Sequence, residues 1–292
     1  MELQRPFPWV LRAAWVALPF SAGTAFGAAL HPHSEAVRLT CSLLLWAGWA
    51  VVLVSTLAPW PIGLTVLRTV APLAAAAAVA AAVTNRPSTP ASAAAVATTF
   101  VTVLLAFAPA AGRLYVNGPA YPGERRFPLA VPGALLLGPL QVAWAVTVGV
   151  PIAGLLLLAA RAWVAGAVVL AVGTPISASL ARSMHRLSLR WLVFVPAGLV
   201  LHDPMALTDP VLFEKAVIAT LRPAPAGTDS LDLTQHAFGL ALELVLVDKV
   251  PLVLAGPRNR PGESGASARL LFTPTRPGLV LREAASRRLS VS

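Results

Sequence analysis

The sequence predicts a polytopic α-helical membrane bundle of six transmembrane helices, followed by a small β-rich cytoplasmic domain of α+β type. Three observations carry that reading. Six apolar stretches fill residues 1–182, and residues 183–292 read quite differently. Only 12% of the 292 residues are charged, whereas a typical soluble domain has ~25%. The mean hydropathy is +0.74. So few charges cannot coat a water-exposed globule of this length, and a bilayer is the natural solvent for the first part. The expected division is a transmembrane domain over 1–182 and a soluble domain over 183–292.

The spans are expected at Ala13–Leu30, Leu39–Leu57, Gly63–Val83, Ala93–Ala111, Gly133–Leu158 and Trp163–Ala181. Each has about the 17–25 residues that cross ~30 Å of hydrocarbon. The fifth is long and must tilt or bend. Arg5 and Arg12 precede the first run in the manner of a cleaved leader. However, that run exceeds the ~7–15 residues of a signal h-region, carries Pro19 and is followed at once by another span, so a retained helix is favoured.

Orientation follows from arginine placement. With six spans and an inner C-terminus, the inner side holds eight arginines: 5, 12, 113, 125, 126, 182, 186 and 190. The outer side holds three, Arg38, Arg86 and Arg161. That bias matches the positive-inside rule, which places both termini in the cytoplasm and the chain in the plasma membrane. Arg182, Arg186 and Arg190 are expected to fix the exit from the bilayer. Arg68, near the inner end of the third helix, can snorkel to the headgroups.

Pro19, Pro72, Pro139, Pro151 and Pro175 interrupt the spans. They read as kinked packing or as broken helices lining a substrate path. Gly23 and Gly27 form a GxxxG pair, and the Ala74–Ala82 stretch is similarly thin, so both permit close helix approach. All twelve acidic residues fall outside the predicted spans. An ion-coupled pump is disfavoured, because intramembrane ionisable groups mark most such pathways. Gln141 is the one strongly polar amide placed inside a span, a candidate intramembrane polar site.

The inner loop from Gly112 to Pro132 reads GRLYVNGPAYPGERRFPLAVP and holds both tyrosines of the chain. Tyr115, Tyr121 and Phe127 interleave with Arg113, Arg125 and Arg126. Two readings stay open: an aromatic-plus-basic anchor at the headgroups, or a docking loop for the soluble domain or anionic lipid. Arg113, Tyr115, Arg125, Arg126 and Phe127 are therefore candidate lipid contacts. His31-Pro32-His33 with Glu35 makes too small a ligand set for a metal site.

In the C-terminal part, RWLVFV-PAG-LVLHD over 190–203 is a hairpin signal, with Gly198 expected in a left-handed turn position. Val211–Leu221, Leu231–Thr234, Gly239–Val247, Leu252–Leu254 and Arg269–Thr273 are further strand candidates. Asn259–Ser267 reads as a loop. Thr275 and Pro277 open a final helix over Gly278–Leu289, whose Arg282, Arg287 and Arg288 are candidate contacts with the anionic inner leaflet.

Those features, together with ERRF at 124–127 and the tail TPTRPGLVLREA, resemble uncharacterised multi-pass actinobacterial membrane proteins with a C-terminal pleckstrin-homology-like domain. The resemblance covers roughly residues 112–285. It implies a small PH-like barrel and no particular activity.

The single cysteine, Cys41, rules out intramolecular disulfides and Cys-based zinc sites. No GxSxG, P-loop, Rossmann or HExxH pattern occurs, so no catalytic residue, cofactor or metal is assigned. The +10 net charge is spread over loops and helix ends, against a nucleic-acid partner. The leading expectation is a membrane scaffold or regulator whose cytoplasmic domain binds a protein partner or the inner leaflet. The alternative is a channel or a transporter of lipid or small molecules. An enzyme acting on lipid-linked substrates, using Glu124 with His185 or His202, ranks last. Homo-oligomerisation stays open.

Overall fold

The structure is a computed structural model that describes residues 6–85, 89–256 and 262–292. The chain divides into two compact units: residues up to Gly118 with Gln141–Met184, and Pro119–Leu140 with His185–Ser292.

The first unit is helical. It contains α1 (Phe7–Val16), α2 (Leu18–Leu30), α3 (Glu35–Leu57), α4 (Pro61–Thr84), α5 (Pro90–Phe107) and α6 (Pro109–Asn117). Most of α8 (Pro139–Ala159) and α9 (Trp163–Leu187) also belong to it; the one-turn α7 (Gly133–Leu136) belongs to the second unit. Among the described residues, six helices are long and apolar enough to cross a membrane, α1 and α2 together counting as one. Prolines open α4, α5, α6 and α8, where the missing N–H is an orphan in any case. Thr89 caps α5, its Oγ1 accepting the Ser92 N–H at 3.2 Å. Pro72, Pro151 and Pro175 sit inside continuous helices. The stretch expected as the fifth span is divided between α7 and α8 at Gly138, whose φ of 148° suits glycine.

The helical core joins Leu11 and Trp15 of α1 to Val52, Leu64, Leu67 and Tyr115. The Trp15 and Trp49 indoles each donate to the other's carbonyl, at 2.9 and 3.1 Å. A second cluster is made of Ala22, Ala25, Ala78 and Ala95. Small residues let α2, α4 and α5 approach closely. The GxxxG pair is not part of that contact: Gly23 and Gly27 face open space, and it is Ala22 and Ala25 that meet the neighbouring helices. Glycine-mediated close approach occurs instead between α8 and α9, where a Cβ on Gly154 would lie 2.7 Å from Leu170.

The second unit holds two sheets. The first runs β1 (Arg125–Pro128), β2 (Trp191–Val195), β3 (Gly198–His202) and β4 (Val211–Glu214) in an antiparallel meander. The second is ordered β5 (Ile218–Pro223), β7 (Leu242–Val253), β8 (Ser264–Phe272) and β6 (Leu231–Asp232), with β6 parallel to β8. Helix α10 (Pro277–Ser286) buries Val280 and Ala284 in the same core as Phe194, Phe213 and Phe272. Among the described residues the two sheets share no ladder, so the expected barrel does not close.

Four details differ from the sequence reading. The hairpin turn is two residues long, because Val195 pairs with Gly198. Gly198 is a strand residue needed for close approach, since a Cβ there would fall 2.0 Å from the Phe213 carbonyl oxygen. Val211–Leu221 is two strands in different sheets, and the charged Glu214-Lys215 step marks the crossover. Ser264–Ser267 is strand, paired with Val250–Val253 beyond an irregularity in β7; residues 259–261 of the expected loop lie outside the described residues.

Candidate functional site

Tyr115 is fully buried. Its ring occupies the space beside Gly63, where a Cβ would sit 2.8 Å away, and its hydroxyl lies 3.3 Å from Ser55 Oγ. It is a core residue of the helical unit. Arg113 is half-buried two residues earlier on α6. Phe127 is also core, edge-to-face with Phe194 at 5.6 Å. Strand alternation explains this, since Phe127 shares the inward face with Leu192 and Phe194.

Arg126 points to the other face, over the Trp191 ring at 5.4 Å, and bonds Glu124 at 2.7 Å. Burial pushes the Glu124 carboxyl up, but the Arg126 bond and charge and the Tyr121 N–H outweigh it and hold it below the ordinary range. Arg125 is half-buried opposite Phe194. On α10 the three arginines are not equivalent. Arg287 is engaged by Glu283 at 2.8 Å and lies over Phe194, whereas Arg282 and Arg288 are exposed. Gln141 is exposed in the first turn of α8. It stands at the end of a span, not in its middle. The α4–α8 hydrogen bond there comes from Trp144, whose indole donates to the Thr69 carbonyl at 2.9 Å.

Buried charged groups brace the β-rich unit, among them Arg190, which the sequence places at the exit from the bilayer. Arg190 is buried, with Nε and Nη2 donating to Asp203 at 2.8 and 2.7 Å and Nη1 donating to the Ala130 carbonyl at 2.8 Å. Asp203 also accepts the Met205 N–H. A buried pair persists only when its remaining donors and lone pairs are satisfied in this way. Beside it, His202 Nδ1 donates to the Leu189 carbonyl and the ring stacks on Trp191. Glu243 is buried among Arg222, Thr228 and Ser230. Burial raises its pKa, but the Ser230, Thr228 and Arg222 hydrogen bonds and the Arg222 charge bring it down to about 2. Glu124 and His202 thus each serve a structural partner. Among the described residues no group of three or more His, Cys, Asp and Glu is placed to hold a metal ion.

A half-open pocket of about 600 Å³ lies between α2, α3, α4 and α8 of the helical unit, inside the ~300–1,000 Å³ range of small-molecule sites. Gly23 and Gly27 form one side of it, with Ala74, Ala77 and Ala80 of α4. Trp46 and Trp49 of α3 and Ile152 of α8 form others. Polar groups are few: His33, Cys41, Ser42, Thr84 and Thr99. Gly23, Gly27, Ala74, Ala77 and Ala80 therefore line a pocket, while Ala78 of the same stretch packs between helices as the sequence suggests. Most of the lining is apolar, so an apolar group entering it would leave water without stranding many polar partners.

Comparison of the chain with protein-family models, with curated proteins and with solved structures finds no match.

Proposed function

We propose that this chain is a multi-pass plasma-membrane scaffold or regulator that holds a PH-like domain at the cytoplasmic face, where the domain meets a protein partner or the inner leaflet. One observation carries the reading. Strand β1 precedes the fifth apolar helix and β2 follows the sixth, so a membrane hairpin is inserted between two paired strands of one sheet. Residues 129–138 link β1 to α8, and residues 188–190 link α9 to β2. A hairpin that crosses and returns puts both ends on one side, so the sheet is tethered to the bilayer twice. The PH-like assignment is supported by the four-stranded meander, the second sheet and the terminal helix packed on the shared core, and by the resemblance to actinobacterial membrane proteins. Cytoplasmic termini are supported by the arginine bias.

The test is photocrosslinking in native membranes from positions on the β-rich unit, such as Leu212 and Ser286, both exposed. A discrete protein adduct, or adducts with inner-leaflet lipid, is expected. Crosslinks to neither contradict the reading.

The cavity favours a second reading, a carrier of apolar molecules, in which Gly23, Gly27 and the α4 alanines make room for an acyl or polyprenyl chain. Lipid retained through purification and lost on Gly27→Leu supports it.

A further inference from the structure

The geometry points to a membrane wedge on the β-rich unit: the loop Thr234–Leu240, with Phe238 and Leu240 at its tip, inserts into the inner leaflet beside the start of the fifth span. The inference rests on the reading that α8 spans the membrane.

Four large apolar side chains of this unit are exposed in two segments that meet. Phe238 is 66% exposed and Leu240 53%, while Leu136 is 41% and Leu137 80%. The segments are joined by backbone. The Gly133 N–H donates to the His236 carbonyl at 3.2 Å, and Pro132 bridges Ala237. The Phe238 ring lies directly against Gly133, where a Cβ would fall 2.9 Å from two ring carbons. Leu136 and Leu137 follow within one turn, and α8 begins at Pro139.

The loop is held in place. Gln235 and His236 both adopt left-handed backbone, with φ of 56° and 53°, and Gly239 follows at 128°. Left-handed backbone is sterically disfavoured for non-glycine residues, so the fold stabilises this conformation elsewhere. Thr234 supplies part of that support, its N–H donating to Asp232 at 2.8 Å and its hydroxyl accepting the His236 N–H. The outcome is a rigid turn that drives an aromatic side chain outward.

Charge says what covers it. No Asp, Glu, Lys or Arg occurs from Phe127 to Ala160, nor from Leu233 to Leu242, and His236, exposed at the base of the loop, is the one ionisable side chain in it. The patch is continuous in the chain with an apolar helix, and a protein partner at this position would have to displace the lipid around that helix. Exposed apolar clusters of this kind mark interaction surfaces, and interfacial anchors bury such side chains ~5–10 Å into the headgroup and acyl boundary.

The experiment uses the full chain with Cys41→Ala, reconstituted in nanodiscs of phosphatidylcholine and phosphatidylglycerol. Nitroxide labels are placed singly through F238C, L240C, D248C and A145C, positions exposed in the structure, and their collisions with oxygen and with a water-soluble nickel chelate are measured. Oxygen collisions are expected to dominate at 238, 240 and 145, and chelate collisions at 248. Chelate collisions dominating at 238 and 240, with 145 still lipid-like, overturn the wedge alone. Chelate collisions dominating at 145 as well overturn the spanning reading and the wedge together.

Discussion

The two units of this chain bury opposite things. In the helical unit most buried polar groups are hydroxyls bonded to their own helix, Thr56 to the Leu53 carbonyl, Thr99 to Ala95 and Thr102 to Thr99, each at 2.7 Å, while Ser177 on α9 donates to the Val146 carbonyl of α8 at 3.1 Å. Many of its large apolar side chains, among them Leu43, Trp46 and Val164, face outward. In the β-rich unit the buried charged groups are the Arg190–Asp203 pair and Glu243, set in a core of Phe and Leu. The solvent explains the difference. Against hydrocarbon there is no gain in hiding leucine, so small residues and close packing hold helices together. Against water the large apolar groups go inside, and any charge taken in with them must arrive fully bonded.

The sharpest way to break this contrast is at Arg190. Arg190→Met leaves the Asp203 carboxylate buried without its partner, and a loss of about 3–5 kcal/mol is expected. Replacing both, Arg190→Met with Asp203→Leu, should recover most of it. Hydrogen exchange of the β2 and β3 amides in reconstituted protein reads both values, and an unchanged single variant would mean that the pair is not desolvated.

The next largest effect is expected at Gly198. Gly198→Val drives a side chain into the Phe213 carbonyl, so β4 should separate from β3 at a cost of roughly 1–3 kcal/mol. The helical counterpart is a matched pair. Gly63→Leu meets Tyr115 and should lower the melting temperature, while Gly27→Leu points into the cavity and should leave it nearly unchanged. Equal effects at both glycines would show that the cavity does not exist.

Glu243 gives a smaller, pH-dependent effect. Its folded pKa, about 2, lies below the unfolded value of ~4.3. The carboxylate's contribution is therefore complete above pH ~4.3 and is lost as pH falls toward 2. Glu243→Gln should cost about 1–3 kcal/mol near neutrality and flatten the stability profile between those limits. A parallel profile in the variant would show that another group sets the acid transition.

The same contrast decides what was legible in the sequence. Spans and the 191–202 hairpin are local patterns, and they stand where apolar runs and turn residues put them, although the first span starts earlier, at Phe7, the fifth starts later, at Pro139, and the sixth runs on to Leu187. What escaped is non-local. Nothing in RRFP announces that it pairs with a strand more than sixty residues later, beyond a membrane hairpin. Arg190 looks like a headgroup arginine until Asp203 and Ala130 surround it. Tyr115 looks like an interfacial tyrosine until Gly63 makes room for its ring. The Phe238 turn was hidden too, because its left-handed residues, Gln235 and His236, carry no turn signature of their own. The Glu214-Lys215 step was visible as a charge in an apolar stretch, and its meaning, a change of sheet, was not.

The central claim is that six apolar helices thread the bilayer and leave the β-rich unit inside the cell. Single cysteines at Arg161, in the turn between the last two spans, and at Ser286, on α10, test it with a membrane-impermeant maleimide on intact cells lacking Cys41. Labelling at 161 from outside, and at 286 only after permeabilisation, is the predicted result. Labelling at 286 in intact cells would contradict the account.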